Sequence, residues 1–420
     1  VNARNAAPLR VLYVVSLFPC WSETFIAREI ATLVAAGVDV RILSLKPPSE
    51  TLVQPEAAAL LERVWHPLPP GRALLAGLAA WLRRPRAFAG AAARVVWRLR
   101  RQPLAAAKSL VALGRGAALL GRIQAFDPHL LHAHWATYPS TVAMALARAL
   151  GRPFGFTAHA HDIYVDDHLL ADKLGAARLP VTISRYNVEH LSRLAPDARA
   201  RLRVVHCGVD LAATRFVREG RSGELLVAVG RLDPIKGFDV LVEALARLHA
   251  RGRAFRCRIV GEGPERGALE AAIARHGLGD RIELAGARGQ AEVQAALREA
   301  ALFVLPCAVA ADGNRDGIPV ALMEAMAAGA PVVSTRVSGV PELVGADEGV
   351  LVDERDPAAL ADALERLLGD AALRDRLAAA ARAKIEREFD ARAEALRLLA
   401  MFREAAVEAV PQAAAEGARA

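Results

Sequence analysis

Two acids and a helix start stand together in Asp316-Gly-Ile-Pro-Val-Ala-Leu-Met-Glu-Ala-Met-Ala-Ala-Gly329. Asp316 precedes Gly317, Pro319 suits the first turn of a helix, and the Ala/Leu/Met run carries that helix to a stop at Gly329. A helix beginning there turns free backbone N–H groups and the positive end of its dipole outward. The backbone of Gly317, Ile318, Pro319 and Val320 is therefore a seat for phosphate. Glu324, further along the helix, is placed to accept hydrogen bonds from vicinal hydroxyls such as those of a ribose. An amphipathic helix capped by an acid, with no ligand, is the alternative these residues leave open by themselves.

A second group of residues follows a predicted strand. In Val229-Gly-Arg-Leu-Asp-Pro-Ile-Lys-Gly-Phe238 the strand ends in Arg231, a tight loop supplies Lys236, and Gly237 opens a helix. Two cations converging on one crevice neutralise a diphosphate, whose charge grows as its bond to a sugar breaks. Gly261 and Gly263, in Val260-Gly-Glu-Gly-Pro264, let the backbone approach a ligand at another strand end. No Asp-x-Asp occurs in the chain. Taken with the Arg/Lys pair, this predicts leaving-group stabilisation without a metal and no cofactor besides the donor substrate. In Phe156-Thr-Ala-His-Ala-His-Asp-Ile-Tyr164, His159 and His161 are read as alternating on an extended backbone and pointing to opposite sides. One of them at most faces a site, and a metal-binding pair is not expected; Asp162 is read as orienting the loop.

The elements that must hold these residues alternate strand and helix. A chain of 420 residues exceeds one ordinary core and calls for two or three domains. In the first half the predicted strands are 9–16, 38–45, 130–134, 153–159, 181–184 and 202–206. The helix after the first strand has Ser22 as its N-cap. In the second half strands fall at 225–230, 257–261, 282–285, 302–305, 331–335 and 350–352. Short apolar strands separated by helices make parallel, doubly wound sheets, whose ligands bind at the carboxyl ends of the strands. Two such domains in tandem are expected to face a central cleft. The predicted limits are 1–212, 213–388, and 389–420 for a C-terminal helix that crosses back, followed by a frayed tail.

Charge is concentrated in one place. The chain carries +8, yet 63–126 alone contains twelve Lys or Arg and no acid. Its Trp65, Trp81, Phe88 and Trp97 are interleaved with Arg83, Arg84, Arg86, Arg94, Arg98, Arg100 and Arg101, and Pro85 and Pro103 divide it into two or three short amphipathic helices. Such helices suit an anionic membrane surface, and a solvated insertion is the other reading. No recognition-helix or RNA-binding signature accompanies the basic stripe, so nucleic acid is not the expected partner. No run of eighteen apolar residues occurs, and Val1-Asn-Ala-Arg-Asn does not have the pattern of a signal peptide. Cys20, Cys207, Cys257 and Cys307 lack paired spacing and read as reduced residues. The expected location is cytoplasmic, peripheral on the inner face of the membrane.

The Asp316 to Glu324 stretch resembles the Glu-(seven residues)-Glu signature of the retaining glycosyltransferases of family four, with Asp316 in place of the first Glu. Gly230-Arg-Leu with Lys236-Gly is similar to that family's donor-phosphate motif. The resemblance implies a GT-B fold in the α/β class, two Rossmann-like domains, and Arg231 and Lys236 holding a UDP- or GDP-linked donor. It maps the family's Thr-x-His onto His159, as a contact to the transferred sugar, and implies catalytic roles for His159, Asp316, Arg231 and Lys236. Ser338-Gly-Val-Pro-Glu342 fits the donor domain as a structural turn. His132-Ala-His134-Trp and Phe18-Pro-Cys-Trp-Ser-Glu-Thr-Phe25 resemble a branch that builds exopolysaccharides, colanic acid glycosyltransferases among them. In that branch Ser22, Glu23 and Thr24 are candidates for substrate contact or for helix capping.

The expected activity is thus metal-independent retaining transfer, of the hexosyltransferase type, to a saccharide or lipid-linked saccharide. A nucleotide-sugar epimerase of the same architecture and a non-catalytic nucleotide-sugar-binding scaffold are the alternatives, the second because Asp316 is one methylene shorter than Glu.

Overall fold

The computed structural model describes residues 8–20, 23–48, 53 and 55–407. Ser22, and the tail expected to fray from about Pro411, lie outside them. In the first sheet the strands are β1 (Arg10–Val15), β2 (Asp39–Ser44), β3 (Val64–Trp65), β4 (Leu130–His134), β5 (Phe154–Ala158), β6 (Leu179–Thr182) and β7 (Arg203–Val204). The second contains β8 (Leu225–Val229), β9 (Arg256–Val260), β10 (Ile282–Gly286), β11 (Leu302–Leu305), β12 (Val332–Thr335) and β13 (Gly349–Val352). Among the described residues the strands pair in parallel throughout, in the orders β3-β2-β1-β4-β5-β6-β7 and β10-β9-β8-β11-β12-β13. Strand order reverses between β1 and β4 and again between β8 and β11. Each sheet is therefore doubly wound, and each opens a crevice at its reversal point.

The strand sequences explain this layering. β4 (Leu-Leu-His-Ala-His) and β11 (Leu-Phe-Val-Leu) are buried along their whole length, as strands covered on both faces must be. Along β1, Val11, Tyr13 and Val15 join one core cluster while Leu12 and Val14 join the other, the two-residue alternation of a strand. The first cluster also takes Leu398, Leu399 and Phe402 from the last helix, Ala391–Val407. Residues Arg392 to Val407 belong to the first unit.

The chain passes from the first unit to the second at Val205/His206, ahead of the expected limit at 212. Hydrogen bonding accounts for the difference. Val205 donates its N–H to Thr182 of β6, whereas Val209 donates to Phe389, and Gly208 lies against the Ala391 backbone. The short stretch Ser184–Asn187 also clusters with the second unit.

The basic segment holds four helices rather than two or three: Pro70–Arg83, Pro85–Arg98, Pro103–Ala118 and Leu120–Phe126. Three of them begin with proline. Its fixed φ and missing N–H suit that position, so these prolines start helices instead of breaking them. Phe88, Val95, Leu113 and Ile123 enter the core, which makes the segment a layer of the first unit. No single described helix is long and apolar enough to cross a membrane; Pro103–Ala118 and Leu120–Phe126 pass that test only as a pair bent by 53°.

Candidate active site

In the second unit, the loop after β8 is pressed against the loop after β11. Gly237 has φ +62°, and a Cβ there would stand 2.0 Å from the Pro306 carbonyl oxygen, so only glycine fits. This approach brings Lys236 to Asp316, with Nζ at 2.9 Å from Oδ1 and 2.7 Å from Oδ2. Burial disfavours the ammonium, but the Asp316 carboxylate beside it, with smaller contributions from its neighbours, outweighs burial and raises the Lys236 pKa. The Cys307 Sγ lies 3.5 Å from Asp316 Oδ2. Burial, and then the Asp316 charge, push that thiol far up, and it stays protonated. Arg231 behaves differently: its side chain is 72% exposed and 3.9 Å from Asp233. The two cations expected to converge are thus held apart in role, Lys236 already paired and Arg231 open to solvent.

Gly261 and Gly263 serve the approach of one loop to another. A Cβ on Gly261 (φ +149°) would lie 1.8 Å from the Gly230 oxygen, and one on Gly263 2.3 Å from the Leu232 oxygen. The space on the Cβ side of both glycines is taken by the β8 loop, so the close approach they permit is that of one loop to another. Ladder-like bonds from Gly230 N–H to Val260 and from Leu232 N–H to Glu262 fix the two loops together.

The helix predicted after Asp316 runs Val320–Ala328, with Pro319 extended at the N-cap and so outside the first turn. It stops at Gly329, φ +85°. No side chain caps it and its first turn holds no acid, so its N-terminal N–H groups keep the anion preference of a helix start. Gly317, Ile318, Pro319 and Val320 therefore lead into a helix start as expected, one residue later than the proline signal suggests. Glu324 is buried and accepts from Gln290 Nε2 at 3.0 Å. Glu342 takes the N–H groups of Arg185 and Tyr186, at 2.9 and 2.6 Å, which is a structural contact.

In the first unit, side chains from β1, β4 and the end of β5 form a buried relay. Tyr13 donates its hydroxyl to Glu29 Oε1 at 2.6 Å, and the same oxygen is 3.0 Å from His134 Nε2. His134 Nδ1 is 3.2 Å from His159 Nε2. A carboxylate accepts only, so His134 carries its proton on Nε2 and its Nδ1 accepts from His159 Nε2–H. Burial, followed by the neighbouring His134, holds the His159 pKa well below the usual imidazole value. Tyr13 is shifted upward, first by burial and then by the Glu29 charge. The Trp135 ring stands 4.4 Å from the His159 ring, centroid to centroid, and its backbone has φ +73°.

Two buried charges hold that strained turn. Asp162 accepts from the N–H groups of Ala136 (2.6 Å) and His159 (3.0 Å), which orients the loop. Lys173 donates to the carbonyls of Ala136, Thr137 and His168 at 2.5 to 2.7 Å. Burial lowers its pKa to about 7 against the pull of Asp162. His161 does not continue an extended strand: β5 ends at Ala158, and His161 starts a short helix with half-exposed side chain, 3.5 Å from Asp166. A turn, and not strand alternation, separates it from His159. Glu23 and Thr24 lie at the start of the Thr24–Ala35 helix.

Glu29, Tyr13 and Gln290 are missing from the residues singled out by sequence, and Cys307 reads there only as a reduced thiol, without its place beside Asp316. Glu29 and His134 are 105 positions apart, and no local pattern links them.

The chain matches the family model described as Glycosyltransferase Family 4 over residues 22–213 and the one described as Glycosyl transferases group 1 over 223–370. It is 34% identical over 389 residues to WcaL of Escherichia coli K12, which bears the name of a colanic acid biosynthesis glycosyltransferase; the alignment covers 85% of this chain and 90% of WcaL. To the amylovoran biosynthesis glycosyltransferase AmsK of Erwinia amylovora it is 45% identical over 166 residues, 39% of this chain and 41% of AmsK. The fold is similar to sucrose-phosphate synthase of Thermosynechococcus elongatus (TM-score 0.72, 19% identity, 94% and 98% of the two chains). It is also similar to HepE of Anabaena, solved in complex with UDP (TM-score 0.67, 17% identity, 94% and 100%). Neither the epimerase nor the scaffold alternative finds support among these proteins. With two Rossmann-like domains, matched one after the other by glycosyltransferase models, and an alignment running through both, the chain belongs to the family 4 glycosyltransferases of the GT-B class.

Proposed function

We propose that this glycosyltransferase moves a sugar, with retention and without a metal, from a UDP- or GDP-linked donor to a saccharide or lipid-linked saccharide in exopolysaccharide synthesis. It works from the cytoplasmic side, peripheral on an anionic membrane surface. The names of WcaL and AmsK support the pathway class, and the basic segment supports the membrane. One observation carries the chemistry: the Lys236–Asp316 pair stands at the carboxyl ends of β8 and β11, beside a helix start with no side-chain cap.

Donor phosphate settles on the Val320 helix start and takes over the Lys236 ammonium, while exposed Arg231 folds onto the second phosphate. As the bond from the anomeric carbon to the diphosphate oxygen breaks, its electron pair goes to that oxygen, where these cations stabilise it. The acceptor hydroxyl attacks from the same face and passes its proton to the departing phosphate, which leaves the configuration retained. Asp316 then lies near the reacting sugar, Glu324 accepts from ribose hydroxyls, and neutral His159 contacts the transferred sugar. Gly261 and Gly263 keep the neighbouring loop rigid behind the nucleotide.

Calorimetry of UDP and GDP in chelator, and again with magnesium, tests the donor half. One nucleotide is expected to bind without metal, and Arg231→Ala or Lys236→Ala to weaken it at least about tenfold, as for a lost charge-assisted contact. Binding that requires magnesium would remove the metal-independent step. Failure of both nucleotides would remove the donor-site assignment. Proton NMR of the first-formed product checks retention.

A further inference from the structure

The Pro70–Arg83 helix is built inside out. Its buried residues are Gly77 and Ala80, while Leu74 (74% exposed), Leu75 (71%), Leu78 (58%) and Leu82 (74%) face away from the core. A surface helix normally shows the reverse. Among the described residues, eight of the thirteen exposed large apolar side chains fall in 74–111. Gly77 is set against the Gly114 carbonyl, where a Cβ would be 3.4 Å from the oxygen. Above this close contact the Pro70–Arg83 and Pro103–Ala118 helices leave a groove of about 780 Å³, walled by Leu74, Leu78, Trp81 and Val111. That size lies within the range of about 300–1,000 Å³ found for small-molecule sites.

Three features narrow the occupant. Among the described residues, apart from Arg115 and the Trp81 indole, no lining side chain offers a hydrogen bond, and the lining Pro47, Pro67, Pro69 and Pro70 have no backbone N–H. An extended peptide would leave its own polar backbone unmet there; a hydrocarbon would not. The groove also has a direction. Pro47 follows the carboxyl end of β2 and Pro67 that of β3, the edge of the sheet at which doubly wound domains bind ligands. Cations wait at that end: Lys46 is exposed, and Arg115, anchored on the Leu45 carbonyl at 2.8 Å, lines the groove. No acid occurs anywhere in 63–126 to oppose an anion.

We propose that this groove binds the hydrocarbon chain of an isoprenoid phosphate, with its phosphate toward Lys46 and Arg115. This rests on the lipid-linked acceptor of the proposed function and gives that acceptor a defined seat, separate from general contact with a bilayer.

The full chain is titrated calorimetrically with farnesyl phosphate below its micelle concentration, with farnesol and inorganic phosphate as separate arms. Farnesyl phosphate is expected to saturate at one per chain, farnesol to bind more weakly, and phosphate alone not to saturate. Leu78→Glu, at an exposed position, should weaken farnesyl phosphate at least about tenfold while UDP binds as in wild type. Equal binding by Leu78→Glu, or cosedimentation with anionic vesicles but no saturable farnesyl phosphate binding, would overturn the groove assignment. Loss of UDP binding in the wild type would instead strike the donor reading and leave the groove to be judged on the lipid titration alone.

Discussion

Glu29 is the residue that gives the buried histidines of the first unit a fixed protonation pattern. Its oxygen accepts from Tyr13 and His134, so the relay ends with the His159 proton on Nε2 and a lone pair on Nδ1. Glu29→Gln replaces an acceptor by an amide that also donates, and this upsets the tautomers without removing volume. The expected result is a fall in kcat of about tenfold or more, with the donor KM within about twofold. A parallel loss in kcat, KM and Tm would mean that Glu29 only supports the fold. Asp316 shows the same economy in the second unit. It raises the pKa of Lys236 against the partial burial of that side chain and so keeps the ammonium charged.

At the scale of elements, the strand ends are locked to one another before any ligand arrives. The β8 and β9 loops interleave with no room for a Cβ at Gly261, whereas Gly267, in the helix Arg266–Arg275, faces open space. Gly261→Ala should therefore cost about 2 kcal/mol or more and reduce UDP affinity with it. Gly267→Ala should be neutral or stabilise by about 0.5–1 kcal/mol. Urea unfolding and UDP titration of the two variants check this, and equal behaviour would contradict the packing argument. The basic helices follow another logic: prolines set where three of them begin, and Leu74, Leu75, Leu78 and Leu82 of the first stay exposed. Covering one such leucine is worth about 1.5–3 kcal/mol, which makes the face costly to leave wet.

At the scale of the molecule, stability depends on pH through the first unit. His132 and His159 are held below the ordinary imidazole pKa, in both cases first by burial and then by neighbouring histidines. The unfolded chain takes up protons at about pH 6.5 that the folded chain refuses. The histidine contribution to stability is therefore full above that pH and falls as the pH drops toward the folded values, by up to about 1.4 kcal/mol per pH unit for each histidine. Calorimetric melting between pH 7.5 and 5 should show a falling Tm, with a shallower slope in His132→Asn. A Tm independent of pH over that range would refute the buried neutral histidines.

By itself the sequence determined the α/β class and twelve of the strands, because parallel strands buried on both faces announce themselves as unbroken apolar runs, and it singled out Lys236 and Asp316, which the structure brings together. The two-residue β3 gave no periodic signal. Which groups meet was decided by tertiary structure alone: Lys236 with Asp316, Glu29 with His134, leucines turned outward over a glycine contact. The first depends on how strand ends from distant parts of the chain are brought level by a parallel register, and the others on how helices pack against the sheet and on one another. Local propensity cannot encode that, since each partner's own neighbours are consistent with several registers and only the closed, packed sheet selects one.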